Sequence, residues 1–161
     1  MGRPAGAAAP RLGGSGRAAY AGVAREAFAT WEALDLPVRF AFVDGPDDAD
    51  IRVEWVARLA DRRAGVTYST IAPTGWLLGT RIVLATRASD GKRATEASMR
   101  RIALHEIGHL LGLKHSADPP DIMAAWVEAG DLTERDRATA RLLYTLPPGG
   151  VGADARVAAG S

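Results

Sequence analysis

The stretch His105-Glu106-Ile107-Gly108-His109-Leu110-Leu111-Gly112-Leu113-Lys114-His115 constrains the fold of this 161-residue chain more than any other. Residues four apart on an α-helix lie one turn apart on the same face, so a helix here aims the imidazoles of His105 and His109 at one point. Gly112 then supplies a residue free to take positive φ, which ends the helix and lets His115 return as a third nitrogen. Three neutral imidazoles leave the fourth position of a tetrahedral zinc for water, the arrangement of a catalytic rather than a closed structural site. Glu106 stands at the edge of the same face, where its carboxylate reaches a metal-bound water without ligating the metal. Zinc brings the pKa of such a water to about 7, so Glu106 can act as general base and return the proton to a leaving amine. A surface helix with incidental histidines is the competing reading. Ordinary residue usage gives this pattern a chance on the order of 10⁻⁸ per window.

Every histidine of the chain lies in that segment and cysteine is absent, which excludes a disulfide framework, a thiol nucleophile and a thiolate metal site. The 20 basic and 19 acidic residues give a net charge of +1, without the field expected of a nucleic-acid or anionic-membrane partner. A hydrophobic share of 47% suits one globular domain with a real core. No apolar run approaches a membrane span, and Met1–Gly16 lacks the continuous apolar stretch of a secretory signal. Composition divides the chain into a flexible lead-in over 1–16, a single domain over 17–146 and a flexible tail over 147–161 that opens on Pro147-Pro148-Gly149-Gly150.

Within the domain, Tyr20, Val23, Ala27, Phe28, Trp31 and Leu34 recur at helical spacing, so a helix over Ala18–Leu34 packs by one face and stops before Pro37. Alternating residues predict strands over Val38–Val43 and Ile51–Val56, separated by the turn Asp44-Gly45-Pro46-Asp47-Asp48. Further strands are predicted over Val66–Ile71 and Thr80–Ala85, with Ile82 and Leu84 facing inward. A long helix runs from about Thr95 to Leu113. A last helix covers about Leu132–Leu143, with Thr133 as N-cap and Glu134 and Asp136 in its first turn.

The motif His105-Glu106-x-x-His109-x-x-Gly112-x-x-His115 resembles the metzincin zinc signature, and Ser116 after the third histidine resembles its matrixin branch. The likeness extends over about residues 18–146. Asp118-Pro119 and Asp121-Ile122-Met123 resemble the approach to the Met-turn, with Met123 as its methionine. Ala49-Asp50-Ile51-Arg52-Val53 resembles the start of the third strand, and Leu132-Thr133-x-x-Asp136 with Leu143-Tyr144 resembles the last helix. The resemblance implies an α+β metzincin fold: a twisted, mostly parallel five-stranded sheet with one antiparallel edge strand lining the cleft, over three helices. It also implies a zinc-dependent endopeptidase that hydrolyses internal peptide bonds by Glu106-assisted attack of zinc-bound water. One catalytic zinc is held by His105, His109 and His115, and a polypeptide is the substrate. Export from the cell is implied too. The chain is expected to act as a monomer.

Several positions depart from the family pattern. With all histidines assigned, a second, histidine-built structural zinc is not expected, and without cysteine neither is a cysteine-capped latent form. The first family strand has no clear counterpart in residues 1–16. Where the family's last helix carries two consecutive acids, this chain has Arg135-Asp136, so a salt bridge from a freed N-terminus is not expected. Arg101 occupies the position four before the first ligand, which in matrixins lines the S1′ pocket, and Ala125-Trp126-Val127 replaces the usual Pro-x-Tyr of the pocket wall. A small-to-medium apolar P1′ side chain is therefore expected, with Arg101 as a solvated helix residue the competing reading. The substrate backbone is expected to pair with the edge strand near Val66–Ile71.

Asp44, Asp47, Asp48 and Asp50 lack an ordered calcium-ligand pattern and read as a solvated turn. Arg58, Arg62 and Arg63 read as a solvated loop face. A different class of function stays open: a zinc-binding, non-catalytic recognition module of the same fold, which would need the three histidines but not Glu106. Hydrolysis of a non-peptide amide is a third reading.

Overall fold

The computed structural model describes residues 6–8, 15–43, 49–73 and 77–146. Most of the lead-in, the acidic turn with Asp44, Asp47 and Asp48, and the tail over 147–161 lie outside the described residues, as do the calcium and flexibility expectations attached to them.

The chain folds as β1 (Gly6–Ala8), α1 (Ser15–Glu32), β2 (Ala41–Val43), β3 (Ile51–Val56), β4 (Gly65–Ile71), β5 (Leu77–Ala85), α2 (Glu96–Leu110) and α3 (Glu134–Thr145). It is thus a mixed α/β domain with three helices, compatible with a matrixin fold. The sheet runs in the order β2-β1-β3-β5-β4, parallel except for the β4/β5 pair. A strand within residues 1–16 differs from the sequence reading. Gly6–Ala8 carries no periodic apolar signal, and its extended conformation goes with backbone pairing to β2 and β3.

Apolar periodicity explains the rest. Ile51, Val53 and Trp55 alternate inward along β3, whereas on β5 Ile82 and Leu84 are buried together with Val83 and Ala85 on the opposite face. On α1, Tyr20, Ala24, Ala27, Phe28 and Trp31 form the buried stripe. Trp31 is fully buried, and its Nε1–H donates to Leu104 O at 3.0 Å, fastening α1 to the helix that carries the histidines. Truncating such a side chain costs about 3–5 kcal/mol. The turn after α1 uses Asp35 at φ +58°, a left-handed position that Asp tolerates better than most residues. Val38 and Phe40, expected to begin a strand, precede β2 but still pack on the core.

α2 begins at Thr95, whose Oγ1 accepts from Ser98 N. It ends as the glycine predicts: Gly112 has φ +95°, Gly112 N–H donates to His109 O at 3.0 Å, and Leu113 N–H donates to Gly108 O at 3.0 Å. These paired bonds form a Schellman turn, which reverses the chain past the second histidine. α3 starts in a capping box between Thr133 and Asp136. Among the described residues no helix is long and apolar enough to cross a membrane.

Candidate metal centre

His105 and His109 project from successive turns of α2, and His115 follows the Schellman turn. One ring nitrogen from each lies within 4.8 Å of the others. His105 is buried, His109 half-buried and His115 exposed, so the cluster opens to solvent at its third member.

Hydrogen bonds fix the first two rings. His105 Nδ1 lies 2.7 Å from Ile122 O, and His109 Nδ1 lies 2.8 Å from Leu113 O. A carbonyl only accepts, so each Nδ1 carries the proton and each Nε2 is left with its lone pair. Those two lone-pair nitrogens stand 3.1 Å apart. Neither can donate to the other, and a shared cation resolves the conflict. Tetrahedral coordination at the usual zinc–nitrogen distance would put them about 3.3 Å apart. Burial, with the neighbouring His109 and His115 as lesser causes, pushes the His105 pKa down to about 4, which keeps that ring neutral for ligation. Burial likewise lowers the pKa of His115. The donor set and its protonation therefore fit a divalent cation.

Glu106 faces the edge strand. Its carboxyl is buried, and desolvation raises its pKa to about 7, opposed by a hydrogen bond from Thr67 and the charge of Arg63. Thr67 Oγ1 donates to Glu106 Oε2 at 2.7 Å, with Glu106 O at 2.9 Å as a second acceptor. Gly65, two residues earlier on β4, lets the strand approach: a Cβ there would stand 2.7 Å from Glu106 Oε1 and 2.7 Å from Ile102 Cγ2.

Met123 is buried in the turn that follows His115. A Cβ on Gly108 would collide with Met123 Sδ and approach Trp31 Cζ2 to 3.2 Å, so this helix glycine is a space requirement. The turn is held from α3: Asp136, 2% exposed, accepts from Ile122 N at 2.8 Å, Met123 N at 3.3 Å and Thr133 N at 2.9 Å. Its role thus exceeds the helix-dipole reading. Gly65, Thr67 and Gly108 were not singled out as site residues by the sequence. Only Gly108 left a signal, because a glycine inside a helix costs about 1 kcal/mol relative to alanine and needs a packing reason.

The expected pocket residues are less closely assembled. Arg101 is half-buried and donates from Nη1 to Glu128 O at 3.3 Å and from Nη2 to Ser98 Oγ at 3.4 Å. Ala125 and Trp126 are exposed, while Val127 packs on the core. Arg100 donates to Gly130 O at 2.7 Å, so neighbouring arginines of α2 both bind the segment over Glu128–Gly130. A separate concavity, lined by Leu34, Leu36, Pro37, Arg141 and Tyr144, contains none of the histidines.

The matrixin family model matches residues 14–145. Over 53 residues the chain is 45% identical to probable matrix metalloproteinase 095L of Invertebrate iridescent virus 3, covering 32% of this chain and 15% of that protein. Over 60 residues it is 47% identical to matrix metalloproteinase-2 of Drosophila melanogaster, covering 35% of this chain and 8% of that protein. The matched stretches are thus a small part of these relatives' length.

Proposed function

The chain belongs to the matrixin family, and we propose that it is a zinc-dependent endopeptidase whose metal ligands are His105, His109 and His115 and whose general base is Glu106. The observation that carries this reading is the pair of lone-pair nitrogens of His105 and His109, 3.1 Å apart, with His115 within reach of both. Zinc, when bound, lowers the pKa of a water and polarises the scissile carbonyl as a Lewis acid.

The chain's own groups do the rest. Backbone carbonyls of Ile122 and Leu113 orient the two helical ligands. Glu106, with a pKa near the working range, accepts a proton from the attacking water and delivers it to the leaving amine. Thr67 aims the carboxylate, leaving Oε1 for the proton. β4 is a sheet edge, which suits an extended peptide added as a further strand.

Other parts of the reading follow from family membership. The sheet, β1 included, is taken as the family's five-stranded arrangement, and residues 17–146 as the catalytic unit flanked by 1–16 and 147–161. Met123 is the methionine of the Met-turn. Arg101, Ala125, Trp126 and Val127 border the P1′ pocket. Export and polypeptide substrates belong to the same proposal.

Cleavage of casein or a quenched peptide, with and without chelator and in Glu106→Ala, tests it. The expected result is chelator-sensitive cleavage that falls by about 10²–10⁴-fold in the variant while zinc stays bound. Equal activity in Glu106→Ala would overturn the mechanism. One equivalent of zinc without chelator-sensitive cleavage would favour a recognition module instead.

A further inference from the structure

His115 differs from the other two histidines in what holds it. The rings of His105 and His109 each have a backbone acceptor at Nδ1, whereas no hydrogen bond reaches the ring of His115 among the described residues. It also lies outside the helix, so its position depends on the loop that carries it.

The adjacent residue anchors that loop. Ser116 N donates to Met123 O at 2.8 Å, and Ser116 Oγ accepts from Asp118 N at 3.1 Å and donates to Asp121 Oδ2 at 2.6 Å. Asp121 is 2% exposed, an environment in which a carboxylate must be bonded on all sides. Its Oδ1 accepts from Thr133 Oγ1 at 2.7 Å, at the start of α3. Arg135 Nε stands 3.4 Å from Oδ2, and Nη1 of the same arginine pairs with Asp118. One buried carboxyl thus joins the residue after the third ligand to the cap of the last helix, and Arg135 closes the chain of charges over it.

We propose that Asp121 is the positioning residue for His115, holding the third imidazole in place through Ser116. The proposal rests on reading the three histidines as one zinc set. A loop already ordered by Asp121 brings His115 to the metal without further loss of chain freedom, whereas a released loop must be ordered on binding. Loss of a group that orients a ligand typically weakens metal binding by about 10–100-fold.

The test is the Zn²⁺ affinity of the full chain, measured by competition with a chromogenic chelator. Asp121→Asn and Ser116→Ala are each made in the native sequence and in His115→Ala, with circular dichroism to report folding. Each single variant is expected to bind Zn²⁺ about 10–100-fold more weakly than the native chain. With His115 already removed, the same changes should weaken binding by less than about threefold, because the coupling acts through that ligand. Ser116→Thr, which keeps the hydroxyl, should stay within about threefold of native. Equal losses in both backgrounds, or no loss in either, would overturn the proposal. If Asp121→Asn does not fold, the Ser116→Ala cycle decides alone. A native chain that fails to bind Zn²⁺ would overturn the three-histidine reading, whereas normal native binding with additive losses would overturn only the role of Asp121.

Discussion

Thr67 on the edge strand gives its hydroxyl proton to Glu106 Oε2 at 2.7 Å, joining residues 39 positions apart in sequence. The strand expected to receive substrate backbone therefore also holds the proposed general base. The bond favours the charged carboxylate against the burial that opposes it. Thr67→Val removes the hydroxyl at nearly constant volume. The expected outcome is a roughly tenfold loss of kcat/KM near neutral pH and an acidic limb displaced to higher pH. A pH–rate profile superimposable on that of the native chain would contradict this.

The buried carboxyl also makes the metal-free protein sensitive to pH. The folded chain raises the Glu106 pKa from 4.5 to about 7, so it holds the proton more tightly than the unfolded chain does. Its contribution is fully favourable below the unfolded value and is lost as pH rises through the folded one, a span worth about 3 kcal/mol. Chelator-treated Glu106→Gln should accordingly be more stable than the native chain by about 3 kcal/mol above the folded pKa, and the gap should close below about pH 5. His105, whose pKa falls to about 4, acts in the opposite direction but is common to both proteins and cancels in the difference. Urea unfolding across this range measures the gap, and a gap independent of pH would refute the assignment.

Two glycines should respond differently to the same substitution. Gly65→Ala sets a methyl 2.7 Å from Glu106 Oε1 and is expected to misplace the carboxyl, lowering cleavage by roughly 100-fold. Zinc affinity should remain. Gly108→Ala drives a methyl into Met123 Sδ and towards Trp31, so it should destabilise the fold by about 1–3 kcal/mol. Thermal unfolding and zinc titration of the two variants separate the effects. Similar losses in both measurements for both variants would show that the glycines share one role.

Arg101 is the proposed determinant of specificity. Its guanidinium donates to Glu128 O and Ser98 Oγ, which holds the half-buried side chain between α2 and the segment around Glu128. If the chain is the proposed endopeptidase, it should prefer small-to-medium apolar P1′ residues, and Arg101→Leu should raise relative kcat/KM for larger apolar ones by about tenfold. A peptide-library profile of the native chain dominated by large aromatic or acidic P1′ residues would sink this prediction.

How much of this could be read from the sequence depends on the distance between the residues involved. His105, His109, Gly112 and His115 were legible because helical spacing and a left-handed glycine are local properties, and the cap at Thr133 was legible for the same reason. Strand β3 was legible from period-two burial, and β5 from its apolar run Ile82–Ala85, which is buried on both faces. Thr67 and Gly65 were not, since nothing local tells an ordinary strand threonine from one that bonds a carboxyl on a distant helix. Asp136 read as a first-turn acid, which it is, but its bonds to Ile122 and Met123 need the tertiary fold. The strand at Gly6–Ala8 escaped because small residues without alternation become a strand through their partners, not through their own preference.

Both helical imidazoles are oriented by main-chain oxygens, those of Ile122 and Leu113, rather than by carboxylate side chains. A point mutation at either position changes a side chain and leaves the acceptor in place. The ring tautomers are thereby buffered against random substitution, and genetic drift can disturb them only by moving the backbone that carries these carbonyls. Two positions bear on those carbonyls directly: Gly112, which shapes the turn before Leu113, and Asp136, which grips the backbone at Ile122.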